Sequence, residues 1–172
     1  MISCEKAHDT IINEDENIDS GNLIIGFNED ASLKSSFDLV NKFGLDITQV
    51  SGQHYISNLP NDRIDYVVKI LETKQYLNNG RWRVVKNGNV YNNYRTGKIT
   101  VLCTMVNMNE INQNDWFNIV EELKLIEQPS VKVFYLKVPI GYEISWRDKF
   151  RDQLIVKWAD LNDIVEIDFF GP

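Results

Sequence analysis

An α+β protein, built from two similar units in series with antiparallel sheets and helices on one face, is what this sequence predicts. Three observations carry that expectation. Short β-rich runs alternate with segments whose apolar residues recur at helical spacing, two helices to each half of the chain. One phrase occurs twice: a β-rich run ending in Leu59-Pro60 and another ending in Val138-Pro139, each followed by a helix with an aromatic on its apolar face. Asn87-Gly88, flanked by Arg81 to Val85 and Val90 to Tyr94, favours the left-handed dihedrals of a type I′ turn and hence a tight antiparallel hairpin.

Asn22-Leu23-Ile24-Ile25-Gly26-Phe27 is an apolar run of strand length and opens the first unit. Leu33, Phe37 and Val40 then repeat at helical spacing, and Gly44 fits the position just past the helix end. Leu45 to Leu59 alternates around Ser51-Gly52-Gln53, which reads as a hairpin or a bent strand. Asn61 or Asp62 caps a helix with Ile64, Val67, Val68 and Leu71 along one stripe. The second unit opens with a strand from Lys98 to Met108. Asn114 or Asp115 caps its first helix, with Trp116, Ile119, Val120 and Leu123 on one side, and Gln128-Pro129 ends it because the residue before proline is pushed out of the helical region. Val131 to Val138 is a strand, Ser145 to Leu154 a helix and Ile164 to Phe170 a final strand, while Ile155 to Ala159 suits either state.

These elements assemble as two tandem split β-α-β units of the ferredoxin-like kind. Residues 1–21 form an acidic tether, 22–96 the first unit with its C-terminal hairpin, and 97–172 the second. The 172 residues suffice for a real core, and 43% apolar with 25% charged residues is the balance of a water-soluble globular chain. No run approaches the roughly 18 apolar residues of a membrane span.

The net charge of −7 is concentrated in the tether, where Glu5, Asp9, Glu14, Asp15, Glu16 and Asp19 stand against Lys6 alone. The nearly neutral body argues neither for a polyanion partner nor for a nucleic-acid mimic. Cys103, in a β-rich run, reads as a small buried thiol. Met1-Ile2-Ser3-Cys4 before a polar spacer resembles the end of a bacterial lipoprotein signal, which makes Cys4 a lipidation candidate and the one expected route to a membrane. Cell-envelope or secreted localisation follows if a signal segment precedes Met1, and cytoplasmic localisation if none does.

Leu23-Ile24-Ile25-Gly26-Phe27, the helix before Gly44 and Tyr55-Ile56-Ser57-Asn58-Leu59-Pro60 resemble parts of the propeptide and inhibitor domains of subtilisin-like proteases. Tyr135-Leu136-Lys137-Val138-Pro139-Ile140-Gly141, Trp146 and the stretch Ile155 to Asn162 carry the same resemblance in the second half, the last looking like the family's final strand. The resemblance implies a non-enzymatic protein that inhibits or chaperones such a protease. Contact is then expected from a sheet edge that accepts an extended segment, and from a C-terminal tail containing Asp168, Phe169 and Phe170. The chain departs from the family in the Arg81 to Tyr94 hairpin and in the residues beyond 162.

Chemical signatures are few. His8 and His54 are the only histidines, and His54 has no recognisable partner for nucleophilic catalysis. No His or Cys pair has metal-ligand spacing and no calcium loop is present, so no metal or cofactor is expected. Glu121 and Glu122 are adjacent on a helix, point apart and form no acid/base pair. The densest polar cluster is Arg81, Trp82, Arg83 and Lys86 with Tyr91, Tyr94, Arg95 and Lys98. Cations interleaved with aromatics suit a phosphate backbone or stacked rings, but hairpin surfaces favour the same side chains for cross-strand packing. Nucleic acid is not expected as a partner. Arg81, Trp82, Arg83, Tyr91 and Tyr94 remain candidate binding residues for protein. The competing reading is an intracellular immunity-type protein that blocks a partner through an ordinary surface.

Overall fold

The computed structural model describes residues 21–77, 90–93 (backbone only) and 97–161. Its elements are β1 (Asn22–Phe27), α1 (Leu33–Lys42), β2 (Asp46–Ser57), α2 (Ile64–Glu72, entered through a 3-10 turn at Asn61–Arg63) and β3 (Val90–Asn93). They continue with β4 (Lys98–Val106), α3 (Glu110–Glu122), β5 (Leu125–Glu127), β6 (Val133–Lys137), α4 (Glu143–Arg151) and β7 (Val156–Leu161).

All pairings are antiparallel and join the strands into one sheet of order β3-β4-β2-β6-β1-β7, with β5 also on β2. The α+β class, the antiparallel pairing and the helices on one face are as expected. The serial arrangement is not. Within the sheet, β1 lies between β6 and β7, so its neighbours come from residues 133–161 and not from its own half of the chain. The order β7-β1-β6-β2, connected through α1 and α4, makes one split β-α-β unit out of the two ends of the described chain. A second unit is inserted within it. Strand β5 occupies the β6 side of β2, because β4 already pairs the other side over Gln49 to Ile56. The order β3-β4-β2-β5, connected through α2 and α3, then repeats the same layout with β2 shared. The units expected at 22–96 and 97–172 are therefore interleaved. The sequence repeat is real in each strand-to-helix passage, but periodicity carries no information about which strands become neighbours.

Helices form where an apolar stripe meets a workable cap. Ser32 caps α1 by accepting the Ser35 N–H, and Leu33, Phe37 and Val40 turn inward. The Glu127 carboxylate accepts the Leu33 N–H at 2.9 Å, placing a negative group at the positive end of α1. Asn109 caps α3 through the Asn112 N–H, five and six residues upstream of the expected caps Asn114 and Asp115. The first turn of α3 has Ile111 exposed and two asparagines, so no periodic signal marks it. That helix also stops at Glu122, with Lys124 at φ 49° turning the chain into β5 ahead of Pro129. Helix α4 spans Glu143–Arg151 where Ser145 to Leu154 was expected, and the ambiguous residues after Ile155 form edge strand β7.

The Leu45 to Leu59 segment is one bent strand. Between Val50 and Gln53 the β2–β4 register slips by one residue, with Gly52 at φ 79° as the extra residue of a bulge. A Cβ on Gly52 would lie 2.2 Å from the Val131 carbonyl oxygen, so only glycine fits. Both Leu-Pro and Val-Pro phrases fall between a strand and a helix, with Val138 buried but Leu59 only half-buried. Pro60 opens the first helix of the inner unit and Pro139 the second helix of the outer one, so the two junctions are not topologically equivalent.

The core fills the space between helices and sheet. Phe134 meets Phe27 at 4.8 Å and Phe37 at 5.3 Å, and Phe37 reaches Phe117 at 6.0 Å, which ties β6, β1, α1 and α3 together. Trp116 is fully buried beside Tyr55 at 5.5 Å and donates its indole N–H to the tyrosine oxygen. Trp146, by contrast, is half-buried: it packs on Phe43 while the Lys149 ammonium sits 4.2 Å above its ring.

Candidate binding surface

Alternation along the strands sends Leu23, Ile25 and Phe27 of β1, Phe134 and Leu136 of β6, Val50, Gln53 and Tyr55 of β2, and Val101, Cys103 and Met105 of β4 toward the helices. Their neighbours face the other way. On β1, β6, β2 and β4 that second face carries Ile24, Gly26, Val133, Tyr135, Gln49, Ser51, His54, Ile56, Leu102, Thr104 and Val106, none of them a carboxylate, lysine or arginine. Charged side chains appear only where these strands end, at Lys137, Asp46 and Lys98. No described helix packs on this face. Leu102, Ile126 and Trp158 are exposed on it, Gly26 and, at the β3 side, Thr100 are buried, and the rest are half-buried.

Trp158 lies across Gly26: a Cβ there would be 2.2 Å from the indole Cε2. The missing side chain lets an aromatic from the edge strand lie flat on its neighbour, extending the apolar surface to the rim. The bulge at Gly52 has the same consequence further in, because the extra residue keeps Gln53 and Tyr55 on the helix side and turns His54 and Ile56 outward.

The edge of β7 is guarded. Arg151 donates its Nε–H to the Ala159 carbonyl at 2.9 Å, and the Asp160 carboxylate accepts the Leu161 N–H at 3.0 Å. Main-chain groups that would pair with an incoming strand are thus partly taken, and Lys157 and Asp160 place charge along the rim. A cleft of about 450 Å³ lies between the ends of α1, β2 and α3, and within it Asn41 and Gln113 exchange hydrogen bonds of 2.8 and 3.2 Å, Gln113 also donates to the Met108 carbonyl, and Asn109 caps α3.

Two buried charges are accounted for internally. Lys132 is 1% exposed and its ammonium contacts Glu127 at 2.8 Å and the Ser130 carbonyl at 3.3 Å, while Glu127 also holds the start of α1. Glu143 accepts the Gly21 N–H and so fastens the start of β1 to α4. Burial pushes the Cys103 thiol well up, which keeps it protonated and unreactive. Glu122 accepts the Tyr66 hydroxyl at 2.6 Å, while the adjacent Glu121 is exposed. Among the described residues, no group of three or more His, Cys, Asp or Glu is placed to hold a metal ion.

Of the candidates read from sequence, Cys4, Arg81, Trp82, Arg83, Tyr94, Asp168, Phe169 and Phe170 lie outside the described residues, as do the Asn87-Gly88 turn and the Ile164 to Phe170 strand. Tyr91 is placed by its backbone alone, at the β3 position opposite Thr100. Sequence reasoning missed the open face. Its signal was present in the uncharged residues alternating with the core residues of β1, β6 and β4, but recognising a single surface requires knowing that β1 and β6 are neighbours. The chain matches no family model, no curated protein and no solved structure.

Proposed function

We propose that the protein is a non-enzymatic protein-binding module that docks its partner on the open face of the sheet, and that the partner is a subtilisin-like protease of the bacterial cell envelope, inhibited or chaperoned in the manner of a propeptide. The observation that carries the binding mode is the surface running from Trp158 and Gly26 across Ile24, Tyr135 and Val133 to Leu102, with Asp160 beside Ile24 as the charge at its β7 rim. A sheet face on which four adjacent strands carry lysine or carboxylate only at their ends is unusual for a surface that meets only water, and contiguous apolar area of this kind marks contact sites. The guarded β7 edge favours contact through side chains of the face over main-chain strand addition. The protease as partner comes from the sequence resemblance.

The test is inhibition of a panel of subtilisin-like enzymes by the purified chain, beside a Leu102→Glu/Tyr135→Glu variant. We expect micromolar or tighter inhibition by the parent and at least a tenfold loss in the variant, since a buried unpaired carboxylate opposes docking. No inhibition or binding across the panel would retire the protease. Equal binding by parent and variant would retire the face.

A further inference from the structure

A different surface lies where residues 1–20 join the body. Gly21 is bonded to both sides of the β6–α4 turn: the Val138 N–H donates to the Gly21 carbonyl at 3.0 Å, and the Gly21 N–H donates to Glu143 at 2.9 Å. That turn reverses sharply at Gly141 (φ 82°) and, with the first turn of α4, presents Ile140 65% exposed, Tyr142 62% and Ile144 43%. Glu143, the one charged residue between them, is turned inward to Gly21. At the same end of the sheet, α3 starts with Ile111 78% exposed. The shared end follows from the pairings: Asn22 opposes Lys137, Asp46 opposes Lys137, and Gln49 opposes Val106, three residues before Asn109 caps α3.

We infer that this end of the molecule rests on a lipid surface, with Ile140, Tyr142, Ile144 and Ile111 entering the interfacial region. Aliphatic side chains flanking a tyrosine, on a turn and on the first turns of two helices, suit the boundary between headgroups and acyl chains. Such a contact is weak alone. A chain held near the bilayer by a lipid on Cys4 would experience the surface at a high effective concentration, because Gly21, where the body begins, is bonded to this turn. The charged groups lining the adjoining cleft, Asp46, Glu110 and Lys137, give the end no cationic excess, and the acidic residues 5–20 oppose an anionic surface. The preferred surface is therefore zwitterionic. The inference is independent of the open face and of the identity of the protein partner, and it extends membrane contact beyond the lipid anchor expected from sequence.

Flotation of the full, unlipidated chain with phosphatidylcholine/phosphatidylethanolamine vesicles tests it. The parent is expected to float with the vesicles at millimolar lipid, an Ile140→Asp/Tyr142→Ser variant to lose at least about fivefold in partition, and Ile111→Asp, on a separate element, to lose partition in the same direction. Thermal melts establish that the variants are folded, and Leu102→Glu on the open face should float like the parent. Adding phosphatidylglycerol should not raise binding. A parent that stays at the bottom of the gradient, or end variants that float as well as the parent, would overturn the inference. So would binding that appears only with phosphatidylglycerol.

Discussion

The two faces of the sheet are made by the same strands, yet they differ in kind. On the helix side, the inward residues of β1, β6, β2 and β4 meet Phe37, Trp116 and Phe150, and each ring is held by others a few ångströms away. On the other side, residues one position along those strands meet no described helix, although Ile24, Tyr135, Leu102 and Val106 are as apolar as many core residues. On the proposed reading, stability rests on the first face and partner contact on the second. A change on the first should cost stability; a change on the second should cost partner contact and little else.

The largest effect should come from Trp116→Ala, which empties a fully enclosed site and orphans its contact with Tyr55. Urea melts should show a loss of about 3–5 kcal/mol, against about 1–2 kcal/mol for the half-buried Trp146→Ala. Equal losses would mean that burial does not separate the two tryptophans. Next comes the ion pair beneath α1. Removing Glu127 as Glu127→Ala leaves Lys132 buried without its carboxylate and the Leu33 N–H without its acceptor, and should cost about 3 kcal/mol. Lys132→Met should be tolerated to within about 1 kcal/mol, since a long apolar chain fills the same space, and the opposite ranking would show that the charge itself is needed.

Gly52→Ala sharpens the comparison at the point where β2 reassigns its faces. The added Cβ meets the Val131 carbonyl oxygen and imposes a left-handed backbone on a non-glycine residue, so a loss of about 2–3 kcal/mol is expected in thermal melts. A neutral result would mean that the bulge is not fixed by Gly52. The smallest effect is one of pH. At Asp115, burial raises the carboxyl's pKa, but hydrogen bonds from Lys74 and Tyr76 outweigh it and hold the pKa below its ordinary value of 3.8. A depressed carboxylate contributes stability above its unfolded pKa and loses it as pH falls through its folded one. Asp115→Asn should therefore flatten the decline in stability below about pH 4, modestly, because the site is 39% exposed and solvent screens it. A steeper decline in the variant would reverse the assigned sign.

The local vocabulary of the fold was legible because it rests on short-range rules. Leu33, Phe37 and Val40 announced α1, Val67 and Leu71 announced α2, and the apolar run at residues 22–27 announced β1. Boundaries failed where a side chain, and not periodicity, sets the end: Asn109 begins α3 ahead of any apolar stripe, and Lys124 stops the chain from reaching Pro129 as a helix. Interleaving was illegible for a different reason. Whether β1 pairs with β2 or with β6, more than 100 residues away, is decided by shape and burial across the whole sheet, and either choice satisfies the same alternation. The candidate site shared that fate, since half-apolar positions such as Ile24, Tyr135 and Val106 become one surface only after the strand order is known.

The most direct test of the account is to measure Leu102→Glu/Tyr135→Glu twice, by urea melt and by calorimetric titration against a subtilisin-like protease that binds the parent. Both positions lie on the face away from the helices, Leu102 exposed and Tyr135 half-buried. The account predicts a melt within about 1 kcal/mol of the parent, as for surface changes generally, together with at least a tenfold weaker association. A variant that binds as tightly as the parent, or one that loses several kcal/mol of stability and binds weakly only for that reason, would contradict the assignment of binding to this face.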